Sequence, residues 1–162
     1  MSKKGEMLPL DHFKRVLDCN LVGTVDLIRQ LVPRMAAQQP GADGNRGVVI
    51  TVASAAAFDG QEGQVAYSAA KGAIASMTLP LARDLAYLGI RAVCISPGLF
   101  ETGMSAKIPS KAQLSLQKSL EFPSRAGRAE EFALLVRHVV ENDMLNGTVI
   151  RLDGASRMPS RL

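Results

Sequence analysis

The feature that most constrains this chain is an alternation of helical segments with short apolar runs. The runs lie at 48–52, 90–95 and 148–152, and every residue of the first is β-branched. Such runs are typical of parallel strands that are covered on both faces. Segments with helical character precede each run, at 11–39, 66–88 and 130–141. This order predicts an α/β fold, with three parallel strands joined by right-handed helical crossovers.

Breaker residues refine these limits. Pro33 is expected to bend the first helix, and Gly89 is a suitable stop for the second. The tripeptide at 96–98, Ser-Pro-Gly, is expected to end the second strand. The stretch from 101 to 125 has mixed character, with one short helix predicted near 111–119.

The composition excludes several classes of protein. A chain of 162 residues with 47% apolar and 21% charged side chains has the balance of one globular domain over 1–162, not of a disordered segment. No apolar run approaches the roughly 20 residues that cross a bilayer. The lysines near the N-terminus precede no apolar region, so a secretory signal is not expected. We therefore predict a cytoplasmic protein.

Charge and cysteine content narrow the function further. The net charge is +4, the basic residues are scattered and aromatic residues make up only 4%, so nucleic-acid binding is not expected as the main role. Cys19 and Cys94 lie in apolar stretches without metal-ligand spacing. They are predicted to be buried, reduced thiols, and no metal site is expected.

One of the two tyrosines begins the segment Tyr67-Ser-Ala-Ala-Lys71. A spacing of four places Tyr67 and Lys71 on the same face of a helix. An ammonium group close to a phenol stabilises the phenolate, and such a phenol can exchange a proton with an alcohol near neutral pH. Taken alone, however, the pair is more typical of an ordinary helix surface.

Three other positions change that interpretation. Ser54 follows the first predicted strand, and Pro97-Gly98 follows the second, so both lie where ligands bind in open α/β sheets. Alone, they are also compatible with a loop serine and a plain turn. Asn20 falls within the apolar stripe of the first helix, where its amide must bond to the backbone, bind water or belong to a site.

Together these residues resemble the short-chain dehydrogenase/reductase family. The serine lies 13 positions before the tyrosine, and the proline lies 26 positions after the lysine. The resemblance covers almost the whole chain from Leu8 onward. It is carried by the stretches LDCNLVGT, RGVVITVASAAAFDGQEGQVAYSAAKGAIASMTLPLARDLAYLGIR, ISPGLFETGM, FPSRAGRAEEFALLV and LNGTVIRLDGASRMP.

The resemblance implies a role for each site residue. Tyr67 is implied as the general acid/base, Ser54 as the group that positions the substrate oxygen, and Lys71 as the stabiliser of the phenolate and holder of the ribose hydroxyls. Asn20 is implied to anchor a water that relays protons to Lys71. The residues implied to bind the nicotinamide end of the cofactor are Tyr67, Lys71, Pro97, Gly98, Leu99, Phe100 and Thr102.

The resemblance also implies partners. The cofactor is expected to be NAD, with NADP as the alternative, and the substrates are alcohols or ketones of the hydroxyacyl thioester or hydroxysteroid type. A homo-oligomer, dimer or tetramer, is implied, with the first two long helices packed against a twin subunit. The resemblance also allows a location in the mitochondrial matrix.

The chain departs from the family at its beginning, where we expect the N-terminal nucleotide-binding half to be missing. The nearest glycine-rich candidate, Gly41, Gly44 and Gly47, precedes a strand and opens no helix. We therefore expect the C-terminal part of a Rossmann-like, doubly wound parallel sheet, whose first strand is an open edge. Two hypotheses follow: an NAD(P)-dependent oxidoreductase, or a non-catalytic remnant that serves as an oligomerisation or interaction module.

Overall fold

Three parallel strands form the centre of the molecule. The computed structural model describes residues 6–103, 116 and 120–160. Within them, β1 (Gly47–Val52), β2 (Ile90–Pro97) and β3 (Val149–Leu152) make one sheet in the order β1-β2-β3. Both pairings are parallel. The predicted α/β architecture with three parallel strands is confirmed.

Helices precede each strand, as the sequence pattern predicts. They are α1 (Leu10–Leu17), α2 (Gly23–Ala36), α3 (Val65–Leu85) and α4 (Ala129–Glu141). A single 3-10 turn (Ala86–Leu88) extends α3, and Gly89 then stops it in the left-handed conformation with φ of 70°. A Cβ at Gly89 would lie 2.2 Å from the Gly44 carbonyl oxygen, so this position requires glycine on two grounds. The helix predicted over 111–119 lies outside the described residues, apart from Leu116.

The first predicted helix is divided, and the irregularity is not at Pro33. A π-helical segment, Asp18–Val22, separates α1 from α2, while Pro33 lies inside α2. In this segment the Asn20 side-chain amide donates a hydrogen bond to the Val16 carbonyl oxygen at 3.1 Å, and the Thr24 hydroxyl donates one to the Asn20 carbonyl oxygen at 2.9 Å. Side chains that bond to nearby carbonyls in this way bend helices, which the apolar spacing alone does not reveal.

The second strand forms the centre of the core. Residues 90–96 are all buried, and Cys94 packs with Ala53, Ile74 and Ala75. The predicted burial of Cys94 is confirmed, but the predicted burial of Cys19 is wrong, because Cys19 is exposed on the π-helical segment. β2 also continues through Pro97 rather than breaking at Ser96, since a proline at the end of a strand removes no essential ladder donor.

Because the strands are parallel, their carboxyl ends lie at one rim of the sheet and their amino ends at the other. In the described residues β1 pairs with β2 alone, so the predicted open edge is confirmed there. The loop containing Gly41 and Gly44 lies at the amino end of β1. It forms a single 3-10 turn, which is followed by extended chain and not by a longer helix. Among the helices of the described residues, none combines the length and apolar character that a membrane crossing requires.

Candidate active site

A cavity of about 530 Å³ opens at the carboxyl ends of β1 and β2. Every site residue predicted from the sequence lines it except Asn20. The full lining consists of Val52, Ala53, Ser54, Tyr67, Lys71, Pro97, Gly98, Leu99, Phe100, Thr102, Ala129 and Phe132. Residues far apart in sequence thus meet at the rim where open α/β sheets bind ligands.

Tyr67 and Lys71 lie on adjacent turns at the beginning of α3. They stand at the border of its buried face, which includes Ala66 and Ala70. The Lys71 Nζ lies 5.8 Å from the centroid of the Tyr67 ring, and it donates a hydrogen bond to the Val52 carbonyl oxygen at 3.0 Å. The helix and the end of β1 therefore hold the ammonium group beside the phenol, as the spacing of four predicts.

The environment of Lys71 is electrostatically unusual. Burial lowers the pKa of its ammonium group, and the nearby thiols of Cys94 and Cys19 act in the opposite direction. Partial removal from water strengthens the action of a charge on its neighbours, because the effective dielectric constant is lower there. Lys71 is thus positioned to stabilise a negative charge at the mouth of the cavity.

Ser54 begins the short 3-10 turn Ala55–Ala57 directly after β1. The main chain is fixed at this point, since the Ala53 amide donates to the Ile95 carbonyl oxygen at 2.9 Å. The Ser54 hydroxyl oxygen accepts a hydrogen bond from the Ala56 amide at 3.2 Å. A hydroxyl group that accepts one hydrogen bond still has its own O–H to donate, so Ser54 can bind an oxygen atom of a ligand in the cavity.

Asn20 is the predicted site residue that the cavity does not include. Its side chain is half-buried and bonded to the backbone of its own helix, at the Val16 carbonyl oxygen. The π-helical segment that carries it packs against α3, the helix of Tyr67 and Lys71. The proton-relay role implied for Asn20 stays a prediction.

The second wall of the cavity follows β2. The Gly98 amide donates to the Leu152 carbonyl oxygen at 3.0 Å, which holds the turn against the end of β3. A Cβ at Gly98 would lie 2.8 Å from the Asp153 Cβ. The sequence predicts a glycine that admits a ligand to the backbone; the structure shows that the missing side chain makes room for Asp153, directly after β3.

Sequence reasoning missed the contribution of α4. Phe132 and Ala129, on its first turn, close the cavity opposite the strand ends. The rings of Phe132 and Phe100 meet edge to face, with centroids 6.0 Å apart and planes inclined at 86°. The amphipathic spacing indicates that α4 has a buried face, but it does not indicate what that face covers.

Arg151 ties the loops at this rim together. Its Nε donates to the Asp153 carboxylate at 2.6 Å, its Nη2 donates to the Asp59 carboxylate, and its guanidinium carbon lies 5.4 Å from the centroid of the Phe58 ring. The hydrogen bond that Arg151 donates to Asp59, and more weakly the one that it donates to Asp153, raises the pKa of Arg151 despite burial. The loop after β1 and the end of β3 are thereby joined beside the cavity.

Comparison with known proteins decides the family. The model of the family described as short chain dehydrogenase matches residues 1–113 of the chain. The chain belongs to the short-chain dehydrogenase family. The family predicted from the sequence is therefore confirmed.

The sequence stretches quoted above resemble type 2 3-hydroxyacyl-CoA dehydrogenase, also called 17β-hydroxysteroid dehydrogenase type 10, and relatives with the first of these names match the chain. The chain is 53% identical over 156 residues to "3-hydroxyacyl-CoA dehydrogenase type-2" of Homo sapiens, covering 96% of the chain and 60% of that relative. It matches the crystal structure of 3-hydroxyacyl-CoA dehydrogenase type-2 from Mycobacterium avium with a TM-score of 0.92 and 35% identity, covering 98% of the chain and 61% of that structure.

A third match is a solved structure that contains NADH. The structure of 3-ketoacyl-(acyl-carrier-protein) reductase from Brucella melitensis complexed with NADH matches with a TM-score of 0.80 and 25% identity, covering 93% of the chain and 60% of that structure. The chain thus spans about 60% of the length of these relatives. These matches confirm the prediction that the three-stranded sheet has a Rossmann-like fold.

Proposed function

We propose that this chain carries the alcohol–ketone oxidoreductase chemistry of a short-chain dehydrogenase, with Tyr67 as the general acid/base and NAD as cofactor. The observation that carries the proposal is the convergence of Ser54, Tyr67 and Lys71 in one cavity, opposite the Pro97-Gly98 turn. A hydroxyl donor, a phenol and a half-buried ammonium group suit proton transfer to and from an alcohol oxygen.

The roles follow from the side chains. In the oxidation direction, the substrate hydroxyl loses its proton to the Tyr67 phenolate while the O–H of Ser54 donates to the substrate oxygen. Lys71 stabilises the phenolate electrostatically from its position 5.8 Å from the ring centroid. In the reduction direction Tyr67 returns the proton to the same oxygen, so the proton count balances in both directions.

The residues present fit the nicotinamide end of the cofactor. When bound, the nicotinamide accepts or supplies the hydride that balances the proton held by Tyr67. Lys71 bonds to one carbonyl in the described structure, and an ammonium group has three donors, so donors remain for ribose hydroxyls. Pro97 and Leu99 offer an apolar wall for a planar ring, and Thr102 a hydroxyl for the carboxamide.

The substrate class is proposed from the cavity and the relatives together. Apart from its polar group of Ser54, Tyr67, Lys71 and Thr102, the lining is apolar, which suits a ketone or alcohol attached to an acyl chain or a steroid. Relatives named 3-hydroxyacyl-CoA dehydrogenase type-2 favour a hydroxyacyl thioester.

A homo-oligomer is part of the proposal. On α2, Leu27 and Leu31 lie one turn apart on the same face and expose 60% and 51% of their surface. Apolar side chains repeated along one helix are typical of a surface that a partner covers. Light scattering coupled to size-exclusion chromatography distinguishes a dimer or tetramer from a monomer. The cytoplasmic location, and the mitochondrial matrix as its alternative, stay predictions.

The test compares the two tyrosines of the chain. NADH oxidation is followed with a 3-oxoacyl thioester, and NADH binding is measured by fluorescence, for the wild type, Tyr67→Phe and Tyr87→Phe. Tyr87 is 84% exposed and lies outside the cavity, so it provides the matched control. We expect Tyr67→Phe to lower the rate about 10²–10⁴-fold with NADH affinity retained, and Tyr87→Phe to match the wild type. The same titration with NADPH chooses between the two cofactors.

Two results would contradict the proposal. One is a chain that gives a cooperative melting transition but does not bind NADH at millimolar concentration, which is what the interaction-module hypothesis expects. The other is turnover that Tyr67→Phe leaves unchanged.

A further inference from the structure

The position of Phe100 in the cavity wall depends on a residue that does not line the cavity. Gly127 lies directly behind the Phe100 ring. A Cβ built at Gly127 would lie 2.5, 2.7 and 2.7 Å from three carbon atoms of that ring, whereas ordinary contact begins at 3.4 Å. The ring therefore occupies space that any other residue at position 127 would fill.

The backbone around Gly127 is held on both sides. The Gly127 amide donates to the Leu99 carbonyl oxygen at 2.9 Å, and the Glu101 amide donates to the Gly127 carbonyl oxygen at 2.8 Å. These bonds form a parallel bridge between Phe100 and Gly127. A side chain added at position 127 therefore cannot be accommodated by a simple shift of its own backbone.

The segment that carries Gly127 is also anchored to α4. Arg125 forms two hydrogen bonds to the Glu131 carboxylate, at 2.9 and 2.7 Å, and the Arg128 amide donates to the same carboxylate at 2.8 Å. The bonds from Arg125, then Arg128, lower the pKa of Glu131 to about 2. Position 127 thus lies between two fixed points.

The Phe100 ring borders two cavities: that of the candidate active site, and a second of about 190 Å³ that Gly127 also lines. Because Gly127 lies on the side of the second cavity, a side chain at position 127 is expected to push the ring toward the first. Phe132 meets the Phe100 ring edge to face at 6.0 Å, and both rings line the first cavity together with Ala129. A methyl group at position 127 would have to move the ring by roughly 1 Å to restore ordinary contact, and overpacked sites resolve such clashes through shifted side chains. The ring would then occupy part of the apolar end of the cavity.

We propose that Gly127 is a positioning residue that sets the width of the apolar end of the cavity through Phe100. The presence of a ligand in the cavity rests on the proposed function, whereas the seating of Phe100 on Gly127 does not. A chain with alanine at position 127 would have a narrower cavity, and it would bind less tightly any ligand that contacts the Phe100–Phe132 wall.

The experiment is a double-mutant cycle with a spectroscopic readout. The variants are Gly127→Ala, Phe100→Leu and the double variant, with Gly103→Ala as the matched control because a Cβ at Gly103 meets no atom of the described residues within 4 Å. The chain is labelled with 4-fluorophenylalanine, and the spectrum of Phe100→Leu assigns the Phe100 signal. NADH dissociation constants and melting temperatures are measured for all variants.

Gly127→Ala is expected to shift the fluorine signals of Phe100 and Phe132 while leaving that of Phe13 on α1 unchanged. It is expected to weaken NADH binding by about fivefold or more, and Gly103→Ala by less than about twofold. In the Phe100→Leu background the Gly127→Ala effect on binding is expected to fall below about twofold, because the clashing ring is absent. A purely structural effect of alanine would persist in that background.

The proposal is overturned by an unmoved Phe100 signal in Gly127→Ala, or by an equal loss of NADH affinity in both backgrounds. If Gly127→Ala does not fold, the double variant decides. A melting transition restored in the double variant supports the contact between the Phe100 ring and Gly127 as the cause, and an unfolded double variant overturns the proposal. A wild-type chain that does not bind NADH contradicts the proposed function alone, and the fluorine spectrum then decides the position of Phe100.

Discussion

The two rims of the sheet each hold a cavity and a basic side chain bonded to the main chain, yet they differ in chemistry. The cavity at the carboxyl rim measures about 530 Å³ and contains Lys71, while the cavity at the amino rim measures about 290 Å³ and contains Arg91. The two cations differ in whether their donors are taken by the main chain or remain available to a ligand.

The two terminal nitrogens of the Arg91 guanidinium are bound by the protein. Arg91 is 7% exposed, and its Nη1 donates to the carbonyl oxygens of Val139 and Leu145, both at 2.9 Å, while its Nη2 donates to Val140 at 3.1 Å. Asp143 adds an ion pair at 3.2 Å. These acceptors belong to the end of α4 and the turn after it, so Arg91 caps a helix whose last carbonyls lack partners of their own.

The ammonium group of Lys71 uses only part of its hydrogen-bonding capacity within the described residues. In the described structure it donates one hydrogen bond, to Val52, although an ammonium group has three donors. Burial lowers its pKa, and the side chain faces a cavity rather than a helix end. The cation at the amino rim therefore has a structural role, and the cation at the carboxyl rim keeps donors for a ligand. The difference follows from how many of its donors bond to main-chain carbonyls.

The largest expected effect is at Lys71. Lys71→Met should lower the NADH-dependent rate about 10²–10⁴-fold, because the phenolate of Tyr67 loses its stabilising charge. Stability should change little, since one main-chain bond and a charge already disfavoured by burial are removed. Steady-state rates and urea unfolding measure both, with Lys14→Met on the exposed side of α1 as control. If Lys71→Met loses much stability but retains its rate, Lys71 has a structural role like that of Arg91, and the prediction is wrong.

Arg91→Met should show the opposite pattern. Several buried carbonyl oxygens would lose their donor, so we expect the free energy of unfolding to fall by about 3 kcal/mol. The rate per folded molecule should stay within about twofold of wild type, because the amino rim is remote from Tyr67. Arg137→Met is the control, because Arg137 lies at an exposed position on α4, the helix that Arg91 caps. A stability equal to that of the control would show that Arg91 is not the cap.

The smallest expected effect concerns acid sensitivity at the carboxyl rim. The hydrogen bonds from Arg125 and Arg128 lower the pKa of Glu131 from 4.5 to about 2. A carboxylate with a depressed pKa contributes stability above its unfolded pKa and loses it as the pH falls from about 4.5 to about 2. Glu131→Gln should therefore be less stable than wild type at pH 7, with the difference shrinking below pH 4.5.

Urea unfolding between pH 7 and pH 2 measures this difference. Glu130→Gln, the neighbour on α4 that takes no part in the pair, is the control. The prediction is wrong if the difference in the free energy of unfolding between Glu131→Gln and wild type stays constant across this range. The stability contributed by the pair of Glu131 and Arg125 would then not depend on the protonation of Glu131.

Much of the fold follows from local pattern. The run at 48–52 is entirely β-branched, which favours an extended chain, and Gly89 stops α3 because only a residue that tolerates positive φ fits there. Cys19 and the π-helical segment were not predictable in this way. Which side of a long helix is buried, and where it changes its winding, depends on hydrogen bonds such as that of Asn20 to Val16.

The candidate site divides along the same line. Tyr67 and Lys71 are one helical turn apart, so their shared face is a local property and was predicted from spacing alone. Phe132 lies 32 positions after Phe100, and nothing local relates the two rings. Their contact exists because Gly127 lets the Phe100 ring close against a bridge that is anchored to α4.

The sequence by itself determined the alternation of strands and helices, the family, and the residues that carry the proposed proton transfer. The alternation and the shared face of Tyr67 and Lys71 depend on side-chain type and on short spacings, whereas the family and the residue roles were predicted from a resemblance over almost the whole chain. Only the tertiary structure decided which cation remains available to a ligand, how the wall of the cavity is held, and that Cys19 faces outward. Those properties depend on which backbone groups and rings meet across distant segments, and such meetings are set by packing in three dimensions rather than by neighbours along the chain.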